Sequence, residues 1–227
     1  MSESKVEVNI GSMNMRGQWA PLPTGSTRIN VTSSQTKQSR YRLNFSPMTE
    51  IKGGYKGYYC FENYWQSGKR YHNASEETEL KIENWWRSRT KGCRRCPMAK
   101  GQRVSHAQFP GKEPLGYIDS RKQVYVPEYY NLIKDLPLIR ELKRQVQEGV
   151  SYTICDFDGP REEDGTPTVK QVSVDLLREK INDPRHPFGH GYIIAGLLSG
   201  IDINDYITDN YYEKLEKDAW GIKPIRD

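Results

Sequence analysis

Alternating hydrophobic and polar positions predict short strands near the start of the chain. Residues 5–10 alternate with the two-residue period of a strand, and a second short strand is expected near residues 28–31. The chain between residues 11 and 40 is rich in Gly, Pro, Ser, Thr and Asn, which is typical of loops. Residues 41–45 place Tyr, Leu and Phe at alternate positions, so we predict a third short strand there.

Helical patterns dominate the middle of the chain. Residues 59–71 contain no Pro and are predicted to be helical. A second helix is expected over residues 76–89, because acidic side chains occupy its first turn and Asn73 or Ser75 can cap it. A short helix is predicted over residues 127–134.

The clearest amphipathic pattern follows. Asp135 is predicted to cap a helix in which Ile139, Leu142 and Val146 lie three and four residues apart. That spacing places the three side chains on one face of the helix, and Gly149 provides a stop.

The second half of the chain continues to mix strand and helix. A strand is predicted over residues 150–155, followed by a charged Gly/Pro loop at 162–168 and a helix over 174–181. The most apolar segment, 191–198, is typical of a buried helix that ends before a glycine. A last amphipathic helix is predicted over 211–220. This mixture indicates an α+β fold dominated by helices.

The length of 227 residues suits a single domain with an extension. We predict an N-terminal strand and loop segment over residues 1–40, a core over 41–165, and a C-terminal helical extension over 166–227 that packs on the core. The sequence predicts no oligomeric state.

The composition narrows the class of protein. Hydrophobic residues make up 35% of the chain and charged residues 28%, and fifteen Tyr and five Trp can build an aromatic core. No apolar stretch is long enough to span a bilayer, and the polar N-terminus lacks the apolar region of a signal peptide. We therefore expect a cytoplasmic protein without a membrane partner. The net charge of +5 permits contact with nucleotides or nucleic acid.

One short segment carries candidate chemistry. If residues 59–71 are helical, Glu62, Gln66 and Lys69 lie at positions i, i+4 and i+7, so a carboxylate, an amide and an ammonium share one face. Aromatic side chains such as Trp65 flank them. A carboxylate can stabilise positive charge that develops on a sugar or can activate water, and the cation or amide can hold the leaving group or sugar hydroxyls. The alternative is an ordinary charged helix surface.

The order of short motifs resembles the NADAR (YbiA-like) family. An Asn-Phe pair precedes a Gly-rich turn, and a helix then carries the Glu-x-x-x-Gln-x-x-Lys pattern. A Met-Ala-Lys-Gly step, a helical stretch and an acidic glycine-containing loop follow. The segments that carry this resemblance are Asn44 and Phe45, Glu62 to Lys69, 97–103, 120–148 and 155–159. It covers about residues 41–165, and the Glu/Gln/Lys pattern is its specific part.

The resemblance implies an N-glycosidase that acts on ribosylated compounds, such as ADP-ribosylated guanine or a ribosylated pyrimidine. It implies that Glu62 is the acidic catalytic residue, that Gln66 positions the substrate and that Lys69 is a cation near the ribose. Lys69 could also form a Schiff base with an opened sugar. Asp156 or Asp158 would supply a second acid or bind a ribose hydroxyl.

The remaining candidates are substrate-binding residues. We expect them to contact a base, a nucleotide or a nucleic acid that carries ADP-ribose, and we expect neither a cofactor nor a metal. The substrate-binding candidates are Asn44, Phe45, Trp65, Gln66, Arg94, Arg95 and Arg103. The segment 85–108 departs from the family because it is longer and more basic.

This basic segment has two interpretations. Residues 87–103 carry seven Lys and Arg side chains and no Asp or Glu. They could contact the phosphates of a nucleic acid or the pyrophosphate of ADP-ribose, or they could form a solvated basic loop. A binding module that holds ADP-ribose, a nucleotide or nucleic acid without turnover is therefore an alternative to an enzyme.

Three further motifs have weaker context. A strand that ends in Asp156-Phe157-Asp158-Gly159 resembles the first motif of HAD-like phosphatases, although the residues after it show few strand signals. Cys93 and Cys96 form a Cys-x-x-Cys pair, but a zinc site would need two further ligands from distant positions. His186 and His190 flank a turn, which favours an exposed His186 and a His190 bonded to a carbonyl.

Overall fold

The computed structural model describes residues 6–14 and 17–208, and its fold is of the α+β class. Its strands are β1 (Val8–Ser12), β2 (Ser26–Asn30), β3 (Lys69–Tyr71), β4 (Val104–Ala107), β5 (Ser151–Asp156) and β6 (Val169–Gln171). Its α-helices are α1 (Arg40–Phe45), α2 (Phe61–Ser67), α3 (Glu76–Arg87), α4 (Tyr117–Ser120), α5 (Val126–Ile133), α6 (Pro137–Gln147), α7 (Val174–Asn182), α8 (His190–Leu198) and α9 (Asn204–Ile207). A 3₁₀ turn covers Pro97–Ala99, and a π-helical turn covers Arg121–Tyr125.

The described chain groups into two compact units. The first unit combines residues 6–46 with 126–208, and the second consists of residues 47–125. The chain therefore leaves the first unit and returns to it. The predicted division at residues 40 and 165 stays a prediction. The predicted helix over 211–220 lies outside the described residues.

A four-stranded sheet forms the centre of the first unit, with the strand order β2-β5-β1-β6. β5 lies between β1 and β2 and is parallel to both, whereas β6 pairs antiparallel with β1 at one edge. Ile154 pairs with Ile10 on one side and with Ile29 on the other, and all three side chains are fully buried. Such burial is typical of parallel strands, which have few exposed positions.

Helix α8 packs on β1 and β5, and every one of its residues is buried. This confirms the buried helix that the apolar segment 191–198 predicts. The strand predicted at 150–155 and the helix predicted at 174–181 are also confirmed, as β5 and α7. The side chain of Ser173 caps α7 by accepting a hydrogen bond from the Leu176 amide.

The strand predicted over residues 41–45 is wrong, because this segment forms helix α1. Ser39 caps the helix, since its side chain accepts a hydrogen bond from the Arg42 amide. The rings of Tyr41 and Phe45, four residues apart, stack with their centroids 6.4 Å from each other. Only Phe45 in α1 is buried, and Leu43 is 53% exposed, so the alternating pattern does not mark a buried strand face.

Helix α6 has the predicted apolar face, with Ile139 and Leu142 buried. The predicted cap at Asp135 is wrong. The helix begins after Leu136, without a side-chain cap, and Pro137 occupies its first position. Gly149 follows the helix with a φ of 100°, a conformation that favours glycine.

The second unit contains α2, α3 and a small sheet in which β3 and β4 pair antiparallel. Helix α3 is confirmed, and Ser75 is its cap. Helix α2 is shorter than the predicted helix over 59–71, because the chain turns at Gly68 and continues as β3. No helix in the described ranges is long and apolar enough to cross a membrane.

Candidate active site

Helix α2 holds the residues that the sequence singled out, and its local packing fixes its position. Phe61 and Tyr64, three residues apart, are buried and anchor one side of the helix. The Glu62 amide at the N-terminus donates to the Pro47 carbonyl over 2.8 Å. The helix ends at Ser67, and a Cβ atom at the following residue, Gly68, would lie only 2.3 Å from the Phe109 ring.

Gln66 orients the carboxylate of Glu62. The Gln66 Nε2 atom donates to Glu62 Oε1 over 2.8 Å, across one turn of α2. Both side chains are half-buried. A half-buried carboxylate held by an amide has a defined direction, which is a requirement for a group that must meet a reacting atom.

Lys69 does not lie on α2, which corrects the predicted helical face. The helix ends at Ser67, and Lys69 is the first residue of β3, paired with Ala107. The side chain nevertheless interacts with Glu62. Burial lowers the pKa of Lys69, the carboxylate of Glu62 opposes that change, and the positive charge of Arg95 adds to it. A lysine with a lowered pKa carries more neutral amine, which can act as a base or a nucleophile.

An aromatic wall adjoins these polar groups, and we define it as Trp65, Phe109 and Tyr125. The rings of Trp65 and Phe109 stack with centroids 5.7 Å apart and an angle of 12° between their planes. The centroids of Trp65 and Tyr125 lie 5.0 Å apart. Trp65 follows Glu62 by three residues, so the ring and the carboxylate lie on neighbouring positions of the helix surface. We call Glu62, Trp65, Gln66 and Lys69 the candidate active site.

The predicted arginines lie on the segment between α3 and β4, and Arg94, Arg95 and Arg103 are all exposed. The charge of Arg95 contributes to lowering the pKa of Lys69, so Arg95 lies near enough to Lys69 to act on it. Asn63 contacts the same segment and was not predicted as a functional residue. No sequence pattern indicates that Asn63 bonds to Lys91 and Cys93, about thirty residues further along the chain.

Asn44 and Phe45 belong to the first unit, at the end of α1. The Asn44 side chain donates to the Arg40 carbonyl within the helix, over 2.8 Å. The Phe45 ring is completely buried, and its carbonyl accepts a hydrogen bond from the Tyr129 hydroxyl. Phe45 therefore belongs to the core of its unit.

Asp156, at the end of β5, is 3% exposed and has several hydrogen-bond donors around it. Its two carboxylate oxygens accept from the Phe157 amide over 2.7 Å and from the Gly191 amide over 2.9 Å. The Nδ1 atom of His190 lies 3.2 Å from the oxygen that also accepts from Gly191. This arrangement ties the end of β5 to the start of α8. Asp158 is half-buried.

The two histidines have the surroundings that the sequence favoured. His186 is exposed, and its Nδ1 atom lies 3.0 Å from a carboxylate oxygen of Asp183. The His190 Nε2 atom lies 2.9 Å from the Val31 carbonyl oxygen, and because a carbonyl only accepts, the imidazole is the donor. Gly189 and Gly191 flank His190, and a Cβ atom at either position would lie 2.7 Å from Asp156.

The cysteines are free thiols, with Cys93 half-buried and Cys96 buried. Among the residues that the structure describes, no group of three or more His, Cys, Asp or Glu side chains is arranged to hold a metal ion. No family model matches the chain, and no match was found among curated proteins or solved structures.

Proposed function

We propose that this chain is an N-glycosidase of the NADAR kind, a hydrolase that cleaves the bond between an ADP-ribosyl group and a base. The arrangement of Glu62, Gln66 and Lys69 is the observation that carries the proposal. It combines an oriented carboxylate with a half-buried lysine whose pKa that carboxylate raises and burial lowers. The resemblance of the same Glu/Gln/Lys pattern to that family supports the proposal from the sequence.

The chemistry follows from what these groups can do at a glycosidic carbon. As the bond to the base breaks, the ribose acquires positive charge, and the carboxylate of Glu62 stabilises that charge or accepts a proton from the attacking water. The water oxygen becomes the new hydroxyl on the ribose, and the base leaves with a proton. Trp65, the half-buried member of the aromatic wall, offers an apolar ring near the carboxylate against which a planar base can pack.

Asp156 has a structural role within the first unit. Its carboxylate already accepts two backbone hydrogen bonds and lies beside His190, which suits a group that holds α8 against β5. The proposal places the enzyme in the cytoplasm, where nucleotide substrates are available.

The experiment is a product assay with the wild-type chain. An oligonucleotide that carries ADP-ribose on guanine and a small ribosylated nucleotide are incubated separately with the protein, and the products are identified by mass spectrometry. Free ADP-ribose or free ribose phosphate, together with the unmodified base, supports the proposal. ADP-ribose binding by a folded protein without any product would instead indicate a binding module.

A further inference from the structure

The segment that connects α3 to β4 has an unusual charge. We call residues 88–103 the basic loop. It carries six cationic side chains and no Asp or Glu. All except the half-buried Arg89 are exposed: Lys91, Arg94, Arg95, Lys100 and Arg103. Repulsion among side chains of the same charge destabilises the folded loop unless anions bind near it.

Two cationic side chains of the preceding helix form ion pairs, whereas two lysines of the basic loop do not. On α3, Lys81 pairs with Glu77 over 2.6 Å and Arg87 pairs with Glu83 over 2.9 Å. Within the part of the chain that the structure describes, Lys91 and Lys100 form no ion pair. These two lysines therefore present positive charge that the protein does not balance locally.

The basic loop is fixed to α2 through its backbone. The Asn63 side chain, which is completely buried, donates to the Lys91 carbonyl over 3.0 Å and accepts from the Cys93 amide over 2.9 Å. Between these two residues, a Cβ atom at Gly92 would lie 2.5 Å from the Met48 carbonyl oxygen. A buried amide and a close backbone contact thus hold the loop at the point from which its cations extend.

The same anchor relates the basic loop to the candidate active site. Asn63 is adjacent to Glu62 in α2, so the helix that carries the carboxylate also carries the support of the loop. Arg95 acts on the pKa of Lys69 through its charge, which is consistent with this proximity. The loop therefore begins beside the helix that carries the candidate active site.

A stacking surface marks the beginning of the loop. The guanidinium of Arg89 lies 4.5 Å from the centre of the Trp85 ring and donates to the Trp85 carbonyl. Trp85 is half-buried, whereas Trp86 beside it lies in the core. An indole and a guanidinium plane of this kind are the groups on which unpaired bases stack in single-stranded nucleic acid.

We propose that the basic loop binds the phosphate backbone of a nucleic acid, so that the substrate is a base within a polymer. A free ADP-ribosyl nucleotide offers its diphosphate and the phosphates of the nucleotide, which are close together, whereas the cations of the loop extend from residue 89 to residue 103. A polymer offers one phosphate per nucleotide along the length of the loop. The assignment of the polymer as substrate rests on the proposed function, whereas the binding of nucleic acid does not.

Binding of unmodified oligonucleotides tests this proposal separately from catalysis. Fluorescence anisotropy is measured with labelled single-stranded and double-stranded probes, each about twenty nucleotides long, over a series of salt concentrations. The wild type is compared with the double variant Lys91→Glu/Lys100→Glu. The control is Lys37→Glu/Lys134→Glu, which makes the same change in net charge at exposed positions of the first unit.

We expect the loop variant to bind at least about tenfold more weakly than the control. The slope of log affinity against log salt should become shallower by about 0.7 to 0.9 for each phosphate that the variant no longer neutralises. Equal weakening in both variants would show that only net charge matters and would overturn the proposal, as would no binding by the wild type. Binding through the loop without cleavage of a modified probe would leave this inference standing and remove the proposed function.

Discussion

At Lys69, burial and charge oppose each other. Burial and the nearby Arg95 favour the neutral amine and lower its pKa, whereas the carboxylate of Glu62 favours the ammonium. Since the pKa falls overall, the cost of burial exceeds the attraction of the carboxylate. The burial of this amine therefore lowers the stability of the folded state.

This balance predicts that Lys69→Met unfolds at a higher temperature than the wild type at neutral pH. The folded-state pKa lies below the unfolded-state value of about 10.4, so the unfolded state binds the extra proton, and the stability of the wild type rises with pH across that interval. The advantage of the variant should therefore shrink as pH approaches about 10. Thermal melts from neutral pH up to that value measure it. A Lys100→Met control should show no such change, and an advantage that is constant with pH would contradict the account.

Asp156 provides a second test at the level of one side chain. Asparagine has nearly the same shape, but one of its two side-chain ends is an NH2 group, which cannot accept a hydrogen bond. That group would face the backbone N–H of either Phe157 or Gly191. We expect Asp156→Asn to lower the free energy of unfolding by about 2–3 kcal/mol, because a buried hydrogen-bonded carboxylate is removed. Urea denaturation measures the change. The exposed Glu163→Gln serves as the control, and equal stability of both variants would refute the structural role of the Asp156 carboxylate.

The turn between α2 and β3 depends on Gly68. Any side chain there meets the Phe109 ring, which also stacks on Trp65. We expect Gly68→Ala to destabilise the protein by roughly 1–3 kcal/mol, because the ring must move. In a double-mutant cycle, Phe109→Leu should remove much of that cost by making room. Additive effects of the two substitutions would show that the contact with Phe109 is not the cause.

Elements whose signals are local could be predicted from the sequence. α6 follows the periodicity of its apolar residues, α8 follows a continuous apolar segment, and Ser75 with the acidic side chains after it marks the start of α3. The prediction of a strand over residues 41–45 is wrong. Tyr, Leu and Phe occupy alternate positions there, as in a strand, but the hydrogen bond from the Arg42 amide to the Ser39 side chain caps a helix. β3 and β4 have three and four residues, too few for a pattern.

The arrangement of the whole chain depends on distant pairings that no local pattern contains. β5 pairs with β1 and β2, which lie far earlier in the chain, so the first unit is discontinuous in sequence. The same limit applies to the candidate active site. The spacing of Glu62 and Gln66 predicted their contact, whereas the approach of Arg95 to Lys69 and the anchor at Asn63 depend on the packing of the loop.

The rate of base release by Glu62→Gln tests the central claim most directly. Glutamine retains the size of the side chain but can neither accept a proton nor stabilise a cation as a carboxylate does. The rate of ADP-ribose release should fall by about 10²–10⁴-fold relative to wild type, while ADP-ribose affinity changes by only a few fold. Glu83→Gln, on α3, should keep the wild-type rate. Release by Glu62→Gln at the wild-type rate would contradict the assignment of this carboxylate and of the site built around it.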